Sequence, residues 1–219
     1  MEKILLLVHT QDDGSLPKGA YESLNAALKL AADLGDANVT VGLIGDEVQP
    51  AADSLAACDA VSILAVSGED FSASRYSSDV VAVEALVKEA APTLVLAPTS
   101  SRFSRCLPGA AYRCDGRIET HITGIEVVDG AVQVQRWYYR QRMVATLSRA
   151  QRPWFLVIDS GVFEPWQGAA GPADVQTLDV TVDDSCRRTR VIGVQTPDSD
   201  AQTIRPDAKL LLVAGAGWR

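Results

Sequence analysis

The feature that most constrains this chain is the regular alternation of short apolar runs with segments of helical periodicity in its first half. The runs are KILLLVH (3–9), NVTVGLIG (38–45), AVSILAV (60–66) and TLVLAPT (93–99). Continuous apolar runs of this length are typical of strands buried on both faces, as in parallel sheets. Four β/α alternations with short connections therefore predict a mainly parallel sheet with helices on both faces.

The segments between these runs predict four helices, at 16–35, 50–58, 77–92 and 101–113. The first has one apolar face and ends at Gly35, a common helix stop. The third is predicted to be capped by Ser77 or Ser78 and closed by Pro92. The fourth contains Pro108, which either interrupts the helix or starts it.

The rhythm changes after about residue 118, where several strand-like segments follow one another. Strands are predicted at 121–128, 131–139, 143–148, 153–159 and 175–182, and the Asp129-Gly130 turn joins the first two as a hairpin. The predicted fold class is α/β: a three-layer α/β/α arrangement with a mainly parallel, nucleotide-binding-like sheet, plus an antiparallel β extension in the second half.

Composition limits the cellular setting. No apolar run among the 219 residues approaches the roughly 20 that a membrane-spanning helix needs, and the opening MEKILLLVHT reads as a strand and not as a signal peptide. The four cysteines are scattered without CxxC spacing, which indicates reduced thiols. We therefore expect a cytoplasmic protein without membrane insertion.

Charge is unevenly distributed. The net charge of −8 argues against nucleic acid as a partner. The segment from residue 100 to 152, however, contains nine arginines, four acidic residues and no lysine. Its net charge is therefore +5, and that of the rest of the chain is −13. Arginine forks onto carboxylates and phosphates, so the segment suggests a specific anionic contact. The alternative is that these arginines are solvated or paired within the fold.

Catalytic motifs are missing: the sequence contains no HExxH, GxSxG, Walker A loop or complete GxGxxG. Of the two histidines, His9 ends the first predicted strand and His121 opens a later one. A stand-alone domain that binds a nucleotide or small anion at the carboxyl edge of its sheet is one hypothesis. Its site would be lined by residues that follow the first and fourth strands, namely His9, Thr99, Ser100 and Arg102. An interaction module without a ligand is another.

The order of segments resembles the alpha subunit of electron transfer flavoproteins, the FixB-like family, over essentially the whole chain. The similar stretches are ILLLVHTQDDGSLPKGAYESLNAALKLAADLG, ACDAVSILAV, APTSSRFSRCLPGAAYR, HITGIEVVDG, QRWYYRQRMVATL and IRPDAKLLLVAGAGWR. The resemblance implies a domain at 1–182, a linker at 183–206, and the start of a truncated FAD-binding domain at 207–219.

One stretch departs from the family pattern. Where the family tends to have Gly-Gly-Asn, this chain has Arg140-Gln141-Arg142. If the strand continued through this stretch, side chains would alternate between two faces. One face would carry Arg136, Tyr138, Arg140 and Arg142, and the other Trp137, Tyr139, Gln141 and Met143. Arginines in place of glycines add charge and prevent close backbone approach.

The resemblance implies an electron carrier subunit more than a catalyst acting alone. Its partners would be an electron transfer flavoprotein beta subunit and a redox dehydrogenase. FAD is expected in the complete protein and not in this chain. Gly215 and Gly217 would be flavin contacts of the complete protein, and Arg102, Arg140 and Arg142 would contact flavin or the partner subunit.

Overall fold

The computed structural model describes residues 2–35, 37–58, 61–193, 209, 210 and 212. The first half alternates strands and helices as the sequence predicts. Its elements are β1 (Lys3–His9), α1 (Lys18–Asp33), β2 (Asn38–Gly45), α2 (Gln49–Asp53), β3 (Val61–Ser67), a 3₁₀ helix (Glu69–Phe71), α3 (Tyr76–Ala90), β4 (Leu94–Pro98) and α4 (Ser101–Arg113).

The second half is mostly β structure. Its elements are β5 (Arg117–Val128), β6 (Ala131–Tyr138), β7 (Met143–Ser148), β8 (Trp154–Ile158), β9 (Gln176–Thr177) and a second 3₁₀ helix (Asp184–Arg187). The hairpin at Asp129-Gly130 is confirmed, with β5 and β6 antiparallel on either side of it. The strand predicted at 175–182 is much shorter, because only Gln176 and Thr177 pair, with β3.

The nine strands of the described residues form one sheet in the order β7-β6-β5-β8-β4-β1-β2-β3-β9. The strands β5, β8, β4, β1, β2, β3 and β9 run parallel to one another. Strands β6 and β7 extend the β5 edge as an antiparallel meander. The predicted class, a mainly parallel α/β sheet with an antiparallel extension, is confirmed.

Helices cover both faces of the sheet. Alternate residues of β1 point to opposite sides, so that Leu6 packs with α1 and α2, and Leu7 packs with α3 and α4. Gly42 of β2 lies where a Cβ atom would be 3.1 Å from the Leu86 side chain, so α3 packs closely on the sheet. The three layers bury two apolar cores, one on each face.

Two predicted helix boundaries are wrong in detail. Helix α3 begins after Arg75, and no side chain caps it; Ser78 instead donates from its hydroxyl to the Arg75 carbonyl at 3.3 Å. Helix α4 runs through Pro108 without a break. Proline gives up one helical hydrogen bond, and here the buried apolar face of α4 keeps the helix in place.

Candidate functional site

The carboxyl ends of β1 and β4 bring His9 and Ser100 together. Nε2 of His9 lies 3.1 Å from the Ser100 hydroxyl, which also accepts a hydrogen bond from the Phe103 amide and so caps α4. The His9 ring packs against Phe103 with 5.1 Å between ring centroids. Burial, followed by the charge of Arg102, lowers the pKa of His9. His9 is therefore a neutral side chain that packs against the start of α4.

A second group of side chains joins β4, β8 and β5 at the same edge. The Thr99 hydroxyl donates to Oδ1 of Asp159 at 3.1 Å, and Nδ1 of His121 lies 3.3 Å from the same oxygen. The carboxylate stands between the hydroxyl and the imidazole. A nucleophile activated by a base needs the imidazole next to the hydroxyl. The group therefore lacks the arrangement of a catalytic triad.

Arg102 lies in the interior between α4 and α3, with 7% of its surface exposed. Its Nε and Nη2 donate to Oδ1 of Asp79 at 3.0 and 2.6 Å, and Nη2 also donates to the Phe71 carbonyl at 2.6 Å. Burial raises the pKa of Asp79 despite the opposing effect of Arg102. Most of the guanidinium is thus committed within the fold, and its contact with flavin or a partner stays a prediction.

A cleft of about 770 Å³ opens beside this ion pair at the carboxyl edge. It is bounded by the loops after β1 and after the first 3₁₀ helix, by the start of α4, and by Val191. Three of the four residues predicted for an anion site line it, namely His9, Ser100 and Arg102, whereas Thr99 does not. The volume is that of a typical small-molecule site, and Arg105 adds an exposed cation.

Arg140 and Arg142 do not lie on a strand, so the predicted alternation through Met143 is wrong. Strand β6 ends at Tyr138, and the next three residues, Tyr139, Arg140 and Gln141, turn with φ of 49°, 56° and 64°. This left-handed conformation costs a residue with a Cβ about 1–2 kcal/mol. The turn presents Arg140 and Arg142 to solvent, and neither side chain bonds to any residue that the structure describes.

The same turn forms one wall of a cavity of about 470 Å³ on the meander. Residues 137–141, Arg136 and His121 line it. His121 sits at a register shift in β5 and has a φ of 59°. Four of the lining residues are therefore left-handed non-glycine residues, and β-bulges and strained backbone of this kind often accompany binding sites.

Glu119 is a buried acidic residue that binds two arginines and that no sequence pattern predicted. It is 3% exposed and forms ion pairs with Arg136 and Arg149, and the Arg136 guanidinium lies 4.3 Å from the Tyr138 ring centroid. Five of the nine arginines in the basic segment pair with acids in this way. The five are Arg102, Arg113, Arg136, Arg149 and Arg152. Pairing within the fold thus holds for these five arginines, and a specific anionic contact of the segment stays a prediction. No periodic pattern in the sequence indicated Glu119.

The predicted flavin contacts Gly215 and Gly217 lie outside the described residues, as does most of the predicted closing strand. Within the described part of the chain, no group of three or more His, Cys, Asp or Glu side chains is placed to hold a metal ion. No helix in that part has the length and apolar character needed to cross a membrane.

Comparison with known proteins gives one family. A search of curated proteins found no match. A family model described as "Electron transfer flavoprotein domain" matches residues 4–183, well over half of the chain and nearly all of the sheet, from the second residue of β1 to β9. With its α/β sheet and antiparallel extension, this chain belongs to the electron transfer flavoprotein family.

Proposed function

We propose that the chain is the N-terminal part of an electron transfer flavoprotein alpha subunit. It would pair with a beta subunit and support FAD-mediated electron transfer from a dehydrogenase in the cytoplasm. The observation that carries this proposal is the family match across residues 4–183. The alpha assignment draws further support from the order of its segments, which resembles that subunit from the first strand to IRPDAKLLLVAGAGWR.

The chemistry of the site is compatible with a carrier role. When bound, FAD supplies the redox chemistry, and the protein's part is to bind, orient and tune it. The polar groups at the carboxyl edge are engaged with one another: His9 with Ser100, and Asp159 with Thr99 and His121. Such a role needs no acid–base dyad among these groups.

Arg140 and Arg142 are the residues we propose for contact with the beta subunit or with flavin phosphate groups. Both are exposed, and neither has a partner among the described residues. Arginine at an unpaired, exposed position can form bidentate bonds to carboxylate or phosphate. The fit to an anion is thus better at these two positions than at Arg102.

Co-purification with the candidate beta subunit tests this proposal. Arg140→Glu and Arg142→Glu should each weaken assembly by at least about tenfold, because a repulsive charge replaces an attractive one. Lys29→Glu, an exposed charge reversal on α1, is the control and should assemble normally. Unchanged assembly of both arginine variants would contradict the interface, and no assembly of the unaltered chain would contradict the function.

The FAD contacts are proposed for Gly215 and Gly217, within a flavin-binding unit that begins at about residue 207 and follows a linker at 183–206. A glycine turn after a strand exposes backbone N–H groups to a pyrophosphate. The test is the visible flavin absorption of the chain purified alone, of a chain extended to a full-length alpha subunit, and of the assembled complex. Flavin should appear with the extended chain and be lost on Gly215→Val.

A second candidate function is nucleotide or small-anion binding in the cleft at the carboxyl edge. The cleft of about 770 Å³, lined by His9, Ser100 and Arg102, favours it. A thermal-shift measurement with AMP and ATP in the absence of any partner tests it. A clear rise in Tm that Arg105→Gln abolishes would support this function, and no rise would contradict it.

A further inference from the structure

The cavity on the meander combines an unusual backbone with an unusual set of side chains. The two tight turns of the meander provide an internal comparison. The β5–β6 turn takes its left-handed conformation at Asp129 and Gly130, with φ of 52° and 76°. Aspartate and glycine tolerate this region. The β6–β7 turn takes it at Tyr139, Arg140 and Gln141, which do not.

The strained residues converge on one place. Seven non-glycine residues with positive φ are found in the described part of the chain, and four of them line this cavity: His121, Tyr139, Arg140 and Gln141. Strain of this kind persists only where the surrounding structure imposes it, and it clusters at ligand-binding sites. Tyr139 and Arg140 of the β6–β7 turn are two of these strained residues, and both line the cavity.

The side chains that line the cavity differ in what they can still bind. Arg136 is committed to Glu119 and lies over the Tyr138 ring. Nδ1 of His121 donates to the Asp159 carboxylate, so Nε2 of the neutral ring carries no proton and can only accept a hydrogen bond. Arg140 makes no bond to any described residue. The open groups are therefore one full cation, one imidazole nitrogen that accepts a hydrogen bond, and aromatic rings.

We propose that this cavity binds a planar aromatic ring that carries a carboxylate or phosphate group. The ring would lie against Trp137 and Tyr139, and the anionic group would accept hydrogen bonds from Arg140. A volume of about 470 Å³ suits one or two fused rings with such a substituent. The site does not depend on pairing with a beta subunit.

Calorimetric titration of the full chain tests the proposal with probes that share one ring system. The probes are 1-naphthyl phosphate, 1-naphthoate, the neutral 1-naphthamide, and inorganic phosphate without a ring. At least one charged naphthyl probe should bind with a Kd below about 1 mM. The neutral probe and inorganic phosphate should each bind at least about tenfold more weakly, since each lacks half of the recognition. The better of the two charged probes identifies which anion the site prefers.

Two variants that each remove one exposed positive charge locate the binding. Arg140→Gln should lower the affinity for the charged probe by at least about tenfold, because it removes a charge-assisted hydrogen bond. Lys29→Gln is the control: Lys29 is exposed on α1 and does not line the cavity, so affinity should stay within about twofold. Circular dichroism confirms that both variants fold.

Three results would overturn the proposal: no binding of either charged probe, equal loss in both variants, or loss only on Arg105→Gln. The last result would place the probe in the cleft at the carboxyl edge. If Arg140→Gln weakens binding of the probe, and Arg142→Glu weakens assembly with the beta subunit, the two results support the two proposals separately. Assembly that fails with the unaltered chain leaves the probe measurement intact.

Discussion

Replacing Arg102 with methionine tests the strongest electrostatic feature of the fold. Arg102 and Asp79 are 7% and 1% exposed, and the guanidinium supplies two hydrogen bonds to one carboxylate oxygen. The other oxygen, Oδ2, is buried without a partner among the described residues. Methionine keeps the apolar stem of the side chain but leaves Asp79 as a buried, unpaired carboxylate. We expect a loss of about 3–5 kcal/mol in the free energy of unfolding at pH 7.

The same helix offers a matched control. Arg113 of α4 pairs with Glu84 of α3 at 3.1 Å, so it also links these two helices. The two side chains are 48% and 34% exposed, however. An exposed ion pair of this kind contributes about 0–1 kcal/mol. Arg113→Met should therefore cost less than about 1 kcal/mol, which separates burial from the mere presence of an ion pair.

The pH dependence of the loss follows from the direction of the Asp79 shift. Burial raises the pKa of Asp79 in the folded state, so the folded chain holds this proton more tightly than the unfolded chain does. Stability contributed by the group is then present at low pH and falls as pH rises through the folded pKa. Removing Arg102 removes the hydrogen bonds and the positive charge that lower the pKa of Asp79, so this folded-state pKa rises further. The pH range over which the stability is lost then extends upward. The deficit of Arg102→Met should thus shrink between pH 7 and about pH 5.

Urea denaturation followed by tryptophan fluorescence measures both effects. The double variant Arg102→Met/Asp79→Leu should recover most of the loss, because it removes the buried charge together with its partner. A loss below about 1 kcal/mol at pH 7 would refute the reasoning. A deficit that grows as pH falls would refute it as well, because Asp79 would then not be the group responsible.

Three further changes probe the backbone and a buried thiol. Gly116→Ala should lower the free energy of unfolding, measured in urea, by about 1–3 kcal/mol, because the new methyl would lie 2.6 Å from the Pro153 carbonyl oxygen. Gly124→Ala is the control and should be nearly neutral, because its methyl would meet nothing closer than 3.5 Å. Gln141→Gly should raise the urea midpoint by the equivalent of about 0.5–1 kcal/mol, because glycine relieves the left-handed strain at φ 64°; a lower midpoint would argue against strain in this turn. Burial, and after it the charge of the Asp79 carboxylate, raises the pKa of Cys106 to about 12. Iodoacetamide at about pH 8 should therefore not label this thiol until urea unfolds the chain, as measured by mass spectrometry. Prompt labelling of the native protein would contradict this.

The first half of the fold could be predicted from sequence because its signals are local and strong. The apolar run KILLLVH became β1 with its bounds as expected, and NVTVGLIG became β2. Strands buried on both faces need continuous apolar residues, so their pattern does not depend on what packs beside them. The Asp-Gly turn between β5 and β6 was equally local, since these residues suit a left-handed turn.

The candidate site was predictable only in part. The sequence placed His9 and Ser100 at one edge of the sheet, and they meet there at 3.1 Å. It gave no sign that Arg102 would turn inward to Asp79, 23 residues away along the chain. It ended the strand near Tyr139 but did not show that the chain then turns through three left-handed residues. Propensity does not anticipate a conformation that these residue types disfavour.

The sequence by itself determined the class of the fold, because alternating buried strands and amphipathic helices have few ways to hide their apolar faces. Only the tertiary structure decided where each strand lies. β8 follows β7 in the chain, yet it inserts between β4 and β5 and pairs in parallel with both. That insertion brings Asp159 to Thr99 and His121, and the folding-back of the meander brings Glu119 to Arg136 and Arg149. Partners so far apart in the chain are chosen by packing and by the cost of burying an unpaired charge, and neither of these can be read from a local pattern.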